Sequence, residues 1–220
     1  MAAEVLDLQI KDWTLKLRLP PGDGPHPAIF LIHGWTGDEG SMWIFAPRLP
    51  KNALLIAPRA PYISKHPQFG GYSWVENRAE SFSRLPDFDS ALEKFEQLVI
   101  ELSKRYEGNF QRFGLAGFSQ GAAFCFAFAM RHPRRVSKVA SLAGFLPTES
   151  EAVINGQFKN LPIFIAHGTK DETVPIAMAK QARVKLEKAG ALVSYCESDT
   201  GHKLGANCFS KLGSFFAETQ

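Results

Sequence analysis

The chain of 220 residues has few cysteines, little excess charge and no long apolar run. Its three cysteines, Cys125, Cys196 and Cys208, are widely spaced and form neither a Cys-x-x-Cys pair nor a metal-ligand cluster. This pattern predicts no bound metal and three buried thiols in a reducing compartment. We therefore expect a cytoplasmic location.

The charge and the hydropathy pattern argue against two further classes of protein. A formal net charge of +3 is too small for the footprint of a nucleic-acid-binding protein or for a polybasic membrane anchor. No apolar run reaches the roughly 18 residues of a transmembrane helix, and residues 1–7 lack the basic and apolar regions of a secretory signal. We expect no nucleic-acid partner and no stable membrane insertion.

The remaining composition is typical of a globular protein. Hydrophobic residues make up 45% of the chain and charged residues 21%, and the 18 glycines and 14 prolines are spread along it. Because no linker or repeat interrupts the pattern, residues 1–220 are predicted to form a single domain. The chain has 18 phenylalanines against 4 tyrosines and 4 tryptophans, and we assign most of the phenylalanines to the core.

Hydrophobic patterning predicts an α/β fold. Two segments that alternate apolar and polar residues, 5–10 and 13–19, predict an antiparallel hairpin. Continuous apolar runs predict strands buried on both faces of a parallel sheet; they are residues 28–32, 54–57, 113–116, 139–143, 163–166 and 192–195. Helical periodicity occurs at 88–106, 176–186 and 208–216. We predict a mostly parallel central sheet with an N-terminal antiparallel hairpin.

The segment from Arg59 to Arg84 is the longest part of the chain without clear periodicity. A loop of this length in a compact domain predicts a functional segment or a small lid. Its arginines, Arg59, Arg78 and Arg84, are interpreted as solvated surface rather than as contacts to a charged substrate.

Residues 113–123 contain the most informative motif. An apolar strand runs into Gly117-Phe118-Ser119-Gln120-Gly121, and a helix rich in alanine and phenylalanine follows. This is Gly-x-Ser-x-Gly in the strand–turn–helix context of a nucleophile elbow, which holds a serine in a strained conformation with its hydroxyl exposed. The helix N-terminus also offers a positive dipole end to developing negative charge. Ser119 is therefore the predicted nucleophile.

A serine nucleophile needs a base, and on such a fold the acid and the histidine follow the serine along the chain. Acidic residues stand directly after the strand at 163–166, and His202 lies in a glycine-flanked loop after the next strand. His202 is the predicted general base. Asp171 is the preferred acid that orients it, and Glu172 and Asp199 are the alternatives.

The loop after the first central strand is glycine-rich and brings its backbone close to the elbow. The backbone N–H groups of Trp35 and of Gln120, the residue after the nucleophile, are the predicted oxyanion hole. Two other histidines, His33 and His167, each end a buried strand and precede a glycine, which favours a structural role. Aromatic residues near the site are predicted to contact substrate; these are Tyr72, Trp74, Phe118 and Phe145.

Together these motifs resemble those of the phospholipase/carboxylesterase family of α/β-hydrolases, which includes small bacterial carboxylesterases and acyl-protein thioesterases. The matching segments lie between about residues 28 and 205; they are 33–38, 58–61, 117–121, 143–147, 167–175 and 201–202. The resemblance implies the α/β-hydrolase fold, the triad of Ser119, Asp171 and His202, the oxyanion-hole amides of Trp35 and Gln120, and neither a metal nor an organic cofactor.

The chain departs from that family at one place. Residues 71–76 read Gly-Tyr-Ser-Trp-Val-Glu, where thioesterase members tend to carry a Trp-Phe-Asp-like patch, and this argues against long-chain acyl-protein substrates. The sequence also leaves no room for a large cap domain between the sheet elements, which predicts an open site.

The residues therefore predict a serine carboxylic-ester hydrolase. Its expected partners are small-molecule esters with short- to medium-chain acyl groups, cleaved through an acyl-enzyme. Thioester or lysophospholipid hydrolysis by the same triad is the alternative among enzymes, and a catalytically inactive hydrolase fold that binds a ligand is the alternative of another class. The physiological substrate and the oligomeric state, a homo-oligomer included, stay open.

Overall fold

An eight-stranded sheet forms the centre of the fold, and the computed structural model describes residues 3–77, 82–154 and 156–218. The strands are, in chain order, β1 (Glu4–Ile10), β2 (Trp13–Leu19), β3 (His26–Ile32), β4 (Leu54–Pro58), β5 (Tyr62–Ile63), β6 (Tyr72–Ser73), β7 (Gly108–Phe118), β8 (Val136–Leu142), β9 (Pro162–Gly168) and β10 (Leu192–Ser198). All but β5 and β6 belong to this sheet, in the order β1-β2-β4-β3-β7-β8-β9-β10.

The pairing confirms the predicted architecture. β1 and β2 form an antiparallel hairpin, and β2 pairs antiparallel with β4. From β4 to β10 every neighbouring pair is parallel. The carboxyl ends of the parallel strands therefore share one edge of the sheet, where an α/β fold of this kind places its ligand site.

Helices cover both faces of the sheet. In the described ranges the α-helices are α1 (Asp89–Ser103), α2 (Gln120–Arg131), α3 (Glu151–Ile154), α4 (Ile176–Lys188) and α5 (Ala206–Ala217). Buried residues of α1, α2 and α4 pack on one face, and α5 packs on the other with a 3-10 helix at Trp43–Arg48. The described residues include no large cap and no helix that is long and apolar enough to span a membrane.

Helix α2 is apolar on all sides because it lies inside the protein. Every residue from Gln120 to Met130 is buried, including the fully buried phenylalanines Phe124, Phe126 and Phe128. A helix of this composition is stable only when surrounded by core. The burial places these phenylalanines in the core as predicted, and it fixes the position of the turn that precedes the helix.

The aperiodic segment after β4 is hydrogen-bonded to the loop after β3. β5 and β6 pair antiparallel, and the N–H groups of Thr36 and Tyr72 donate to the carbonyls of Tyr72 and Gly37 at 3.0 and 2.9 Å. Two of its arginines form ion pairs: Arg59 with Glu39, and Arg84 with Asp87. Arg78 lies outside the described residues, as do residues 79–81.

Two of the three cysteines are joined by a disulfide, between Cys196 of β10 and Cys208 of α5. The chain turns back from β10 into α5 and brings their Cα atoms to 5.7 Å, so the prediction of three buried thiols is wrong. Cys125 is free and buried, as expected. Disulfides persist in oxidising environments, so these cysteines give no support to a reducing compartment.

Reduction of this disulfide is expected to lower the free energy of unfolding by about 2–4 kcal/mol, because the cross-link restricts the unfolded chain. Urea unfolding with and without dithiothreitol measures the change. A Cys196→Ala/Cys208→Ala variant is the control, since its unfolding should not respond to the reductant. Identical unfolding midpoints for the oxidised and the reduced wild type would contradict the expectation.

Candidate active site

Ser119 lies at a sharp turn between β7 and α2. Its backbone has φ 52° and ψ −117°, a left-handed conformation that costs a non-glycine residue on the order of 1–3 kcal/mol. A Cβ at Gly117 would collide with the backbone of Gly121, and a Cβ at Gly121 would collide with the carbonyl of Ile32. The two flanking glycines are therefore required for the close approach that the strained turn needs.

His202 and Asp171 form a hydrogen-bonded pair beside this turn. His202 Nδ1 donates to Asp171 Oδ2 at 2.7 Å, and the Asp171 side chain is fully buried whereas that of His202 is 23% exposed. The other carboxylate oxygen, Oδ1, accepts the N–H groups of Thr173 and Val174, both at 2.9 Å. With its proton on Nδ1, neutral His202 presents Nε2 as a proton acceptor.

The alternative acids lie elsewhere. Asp199 is exposed and pairs with Lys170 at 2.9 Å, and the hydrogen bond from Lys170 lowers the pKa of Asp199. Glu172 is exposed to solvent. Asp171 is the carboxylate that contacts His202.

Ser119 and His202 line one cavity of about 880 Å³. The ring of Phe118, the residue before the serine, packs on the His202 ring at 4.8 Å between centroids. Within the predicted triad, the hydrogen bond that the structure shows is the one between His202 and Asp171. Catalytic hydrogen bonds are often long before substrate binds. The observation that bears on Ser119 and His202 is therefore the cavity that both residues line.

The predicted oxyanion-hole residues, Trp35 and Gln120, belong to the loop after β3 and to the start of α2. A Cβ at Gly34 would lie 3.2 Å from the Phe118 ring and 3.4 Å from Ser119 Cβ, so the loop that carries Trp35 packs directly on the elbow. Gln120 is the first residue of α2, and helix geometry leaves its N–H without an intrahelical acceptor. Both residues line the cavity, and their role as donors stays a prediction.

The Gln120 side chain has a second contact that sequence reasoning missed. Its Oε1 accepts the backbone N–H of Trp74 at 3.0 Å, and its amide lies 3.3 Å from the Ser73 hydroxyl. These bonds attach the elbow to the segment that begins at β6. A polar residue at the start of an otherwise apolar helix was the available signal.

His33 has the structural role that its position predicts. Its Nδ1 lies 2.7 Å from the Gly34 carbonyl, and its Nε2 accepts the Ala60 N–H at 2.9 Å. The Trp74 indole also donates to the His33 carbonyl at 2.9 Å. The ring thus joins the loop after β3 to the loop after β4, and its burial lowers the pKa of His33 to about 4.

This depressed pKa predicts a loss of stability in mild acid. Below pH 6.5 the unfolded chain binds a proton at His33 that the folded protein does not accept, so stability falls as the pH drops from 6.5 to about 4. We expect His33 to contribute about 3 kcal/mol to the fall. Urea unfolding at several pH values in this range measures the effect. The free energy of unfolding of His33→Gln should change less with pH than that of the wild type.

His132 provides the matched control. Burial also lowers the pKa of this half-buried histidine. His132→Gln should therefore reduce the pH dependence of the free energy of unfolding by less than His33→Gln does. If the free energy of unfolding of His33→Gln depends on pH as strongly as that of the wild type, the loss of stability in acid does not come from His33.

Of the four aromatic residues predicted to contact substrate, two line the cavity and two do not. Phe118 and Phe145 line the cavity, and their contact with a substrate stays a prediction. Trp74 is fully buried against Trp13 and Phe124 and does not reach the cavity. Tyr72 also lies outside the lining, and its hydroxyl accepts a hydrogen bond from Arg59 at 3.1 Å. The cavity wall thus includes neither Trp74 nor Tyr72.

Apolar side chains from separate elements complete the cavity wall. They include Ile44, Phe45, Phe69, Phe82 and Phe209. Among the polar lining residues are His66 and Lys203. Within the described part of the chain, no three His, Cys, Asp or Glu side chains are grouped so that they could hold a metal ion.

A mostly parallel sheet with a nucleophile elbow after a central strand, and with an acid and a histidine after the strands that follow, defines an α/β-hydrolase. Residues 19–219 match the family model of the phospholipase/carboxylesterases. The chain therefore belongs to the phospholipase/carboxylesterase family, and it is a serine hydrolase of the carboxylesterase type.

Curated relatives and solved structures agree with this placement. Acyl-protein thioesterase 1 of Debaryomyces hansenii is 29% identical over 181 residues, which cover 74% of this chain and 77% of the relative. The same-named protein of Saccharomyces cerevisiae is 28% identical over 172 residues, covering 70% and 74%. The carboxylesterase structure from Mesorhizobium loti has a TM-score of 0.80 at 23% identity, covering 98% of this chain and 99% of that one. This last likeness concerns the fold.

Proposed function

We propose that the protein hydrolyses carboxylic esters with short- to medium-chain acyl groups, through Ser119, His202 and Asp171. The observation that carries the proposal is the 2.7 Å hydrogen bond between His202 and the fully buried Asp171, with His202 and Ser119 on the wall of one cavity. Family membership supports the reaction class.

The reaction follows from the positions of the groups. The Ser119 hydroxyl attacks the ester carbonyl while His202 Nε2 takes its proton, and Asp171 stabilises the imidazolium. The backbone N–H groups of Trp35 and Gln120 bind the oxyanion, aided by the N-terminus of α2. The alcohol leaves with the proton from His202. Water then attacks the acyl-enzyme while His202 takes one of its protons. His202 returns this proton to Ser119 Oγ as the acyl–oxygen bond breaks, which releases the acid and restores the serine hydroxyl.

The cavity supports the substrate class. Phe45 and Phe209, whose ring centroids lie 5.2 Å apart, form an apolar part of the wall of the cavity that Ser119 also lines, and such a wall suits an acyl chain. Thioester hydrolysis is the second candidate, and the fungal relatives described as acyl-protein thioesterase 1 favour it. The same serine and histidine serve either substrate.

A panel of matched substrates tests the proposal. We would measure kcat/KM for p-nitrophenyl esters from acetyl to dodecanoyl, and for thioesters with the same acyl chains. The proposal expects the highest values for oxyesters at short to medium length, whereas a preference for long-chain thioesters would favour the second candidate. Folded protein that hydrolyses none of them and does not react with a fluorophosphonate would indicate an inactive binding fold.

A further inference from the structure

We propose that His167, which the reaction scheme above does not use, positions the carboxylate of Asp171 and moderates its charge; this inference rests on the proposed function. His167 belongs to β9 and precedes Asp171 by four residues. Both side chains are fully buried, and His167 Nε2 lies 3.3 Å from Asp171 Oδ2. That oxygen is the one that accepts the hydrogen bond from His202.

The surroundings of the ring assign its proton to Nε2. This nitrogen faces two acceptors, the Val174 carbonyl at 2.7 Å and Asp171 Oδ2 at 3.3 Å. The other nitrogen, Nδ1, is buried and has no hydrogen-bond partner among the described residues. An unpaired acceptor is tolerated in a protein interior more readily than an unpaired N–H. The tautomer with a proton on Nε2 and a bare Nδ1 is therefore the one that fits.

Asp171 accepts three hydrogen bonds: Oδ1 accepts the amides of Thr173 and Val174, and Oδ2 accepts His202. The His167 Nε2–H, which is hydrogen-bonded to the Val174 carbonyl, lies beside Oδ2 at 3.3 Å and places a partial positive charge there. The carboxylate is thus fixed in orientation. Because the His167 N–H dipole lies beside the oxygen that accepts His202, it also offsets part of the negative charge that stabilises the His202 imidazolium.

This contact has a consequence for the pH dependence of the reaction. Without the His167 N–H, more of the negative charge on Oδ2 would act on His202, and Asp171 would stabilise the imidazolium more strongly. We expect the acidic limb of kcat/KM against pH to move upward by about 0.5–1 unit when the donor is removed. A purely structural histidine would change stability and leave this limb in place.

Two variants at one position separate the donor from the volume of the side chain. His167→Leu removes the N–H, whereas His167→Gln keeps an amide donor at a similar reach. We expect the upward shift in His167→Leu and a limb close to that of the wild type in His167→Gln. Rates are expressed per active site by titration with a fluorophosphonate, so that a loss of folded protein does not enter the profile. An unshifted limb in His167→Leu, or equal shifts in both variants, overturns the proposal.

The other charged groups of this region stay unchanged in both variants. They are Glu197, which is in register with His167 on β10 and pairs with Lys180, the exposed Lys170–Asp199 pair, Glu172 and Lys203. Their effect on the profile is therefore the same in every protein compared.

The tautomer is tested without any catalytic assay. ¹⁵N NMR of wild-type protein with labelled histidines distinguishes a protonated Nε2 with a bare Nδ1 from the reverse, and the signals missing in His167→Gln assign the residue. A proton on Nδ1 overturns the proposal even if neither variant folds. Failure of the proposed function is recognised separately, because it appears as continued turnover without the Ser119 hydroxyl.

Discussion

Replacement of Ser119 by alanine is expected to lower kcat by about 10⁶-fold. The variant loses the oxygen that forms the acyl-enzyme, and neither His202 nor the backbone amides can supply a substitute. The left-handed backbone at Ser119 is held by close packing of Gly117 and Gly121, and not by the hydroxyl. The fold should therefore survive the change, and the residual rate should exceed that of water alone, because the oxyanion hole and the binding site remain.

Turnover of a p-nitrophenyl ester and covalent labelling by a fluorophosphonate measure the loss together. Ser103→Ala is the matched control, since this serine ends α1 and its hydroxyl donates to the Ile100 carbonyl. The control should keep wild-type activity and labelling. If Ser119→Ala retains turnover in preparations of equal purity, another residue is the nucleophile.

Replacement of Asp171 by asparagine is expected to lower kcat by about 10⁴-fold. Asparagine has the same shape and keeps an oxygen for the N–H groups of Thr173 and Val174. Its amide N–H₂ would then face His202 Nδ1 and favour the tautomer with the proton on Nε2, which cannot accept the serine proton. The loss is thus a change of tautomer with little change of structure.

Asp199→Asn is the control for this variant. Asp199 is an exposed carboxylate three residues before His202, but its partner is Lys170 and not the histidine. We expect wild-type kcat from Asp199→Asn and thermal unfolding of both variants close to that of the wild type. A larger loss of kcat in Asp199→Asn than in Asp171→Asn would identify Asp199 as the acid.

The elbow could be predicted from the sequence because its determinants are local. The glycines, the serine and the apolar runs on either side lie within eleven residues, and the backbone that they impose depends on near neighbours. The central strands were recognisable for a related reason, since a strand buried on both faces is apolar throughout. The boundary of α1 was less accurate: periodicity suggested a helix to residue 106, and it ends at Ser103.

The aromatic residues and the cysteines required long-range information. Trp74 lies in an aperiodic segment, and only its packing against Trp13 and Phe124, far away in the chain, decides that it faces the core. Cys196 and Cys208 carry no motif, and their bond depends on how α5 returns to β10. The contact between His167 and Asp171 was hidden for the same reason: a histidine that ends a strand is compatible with many partners.

The order of strands places the nucleophile after a central strand and the base after an edge strand. Ser119 follows β7, which has a neighbour on each side, whereas His202 follows β10, which lies at the edge of the sheet and, among the described strands, pairs only with β9. Margins of a sheet open locally more often than its centre, as amide hydrogen exchange records in many proteins. Transient opening at β10 would withdraw the base while the nucleophile stayed in place. Opening at this edge would therefore inactivate the enzyme before the rest of the sheet unfolds, and the disulfide between β10 and α5 limits how far the strand can open.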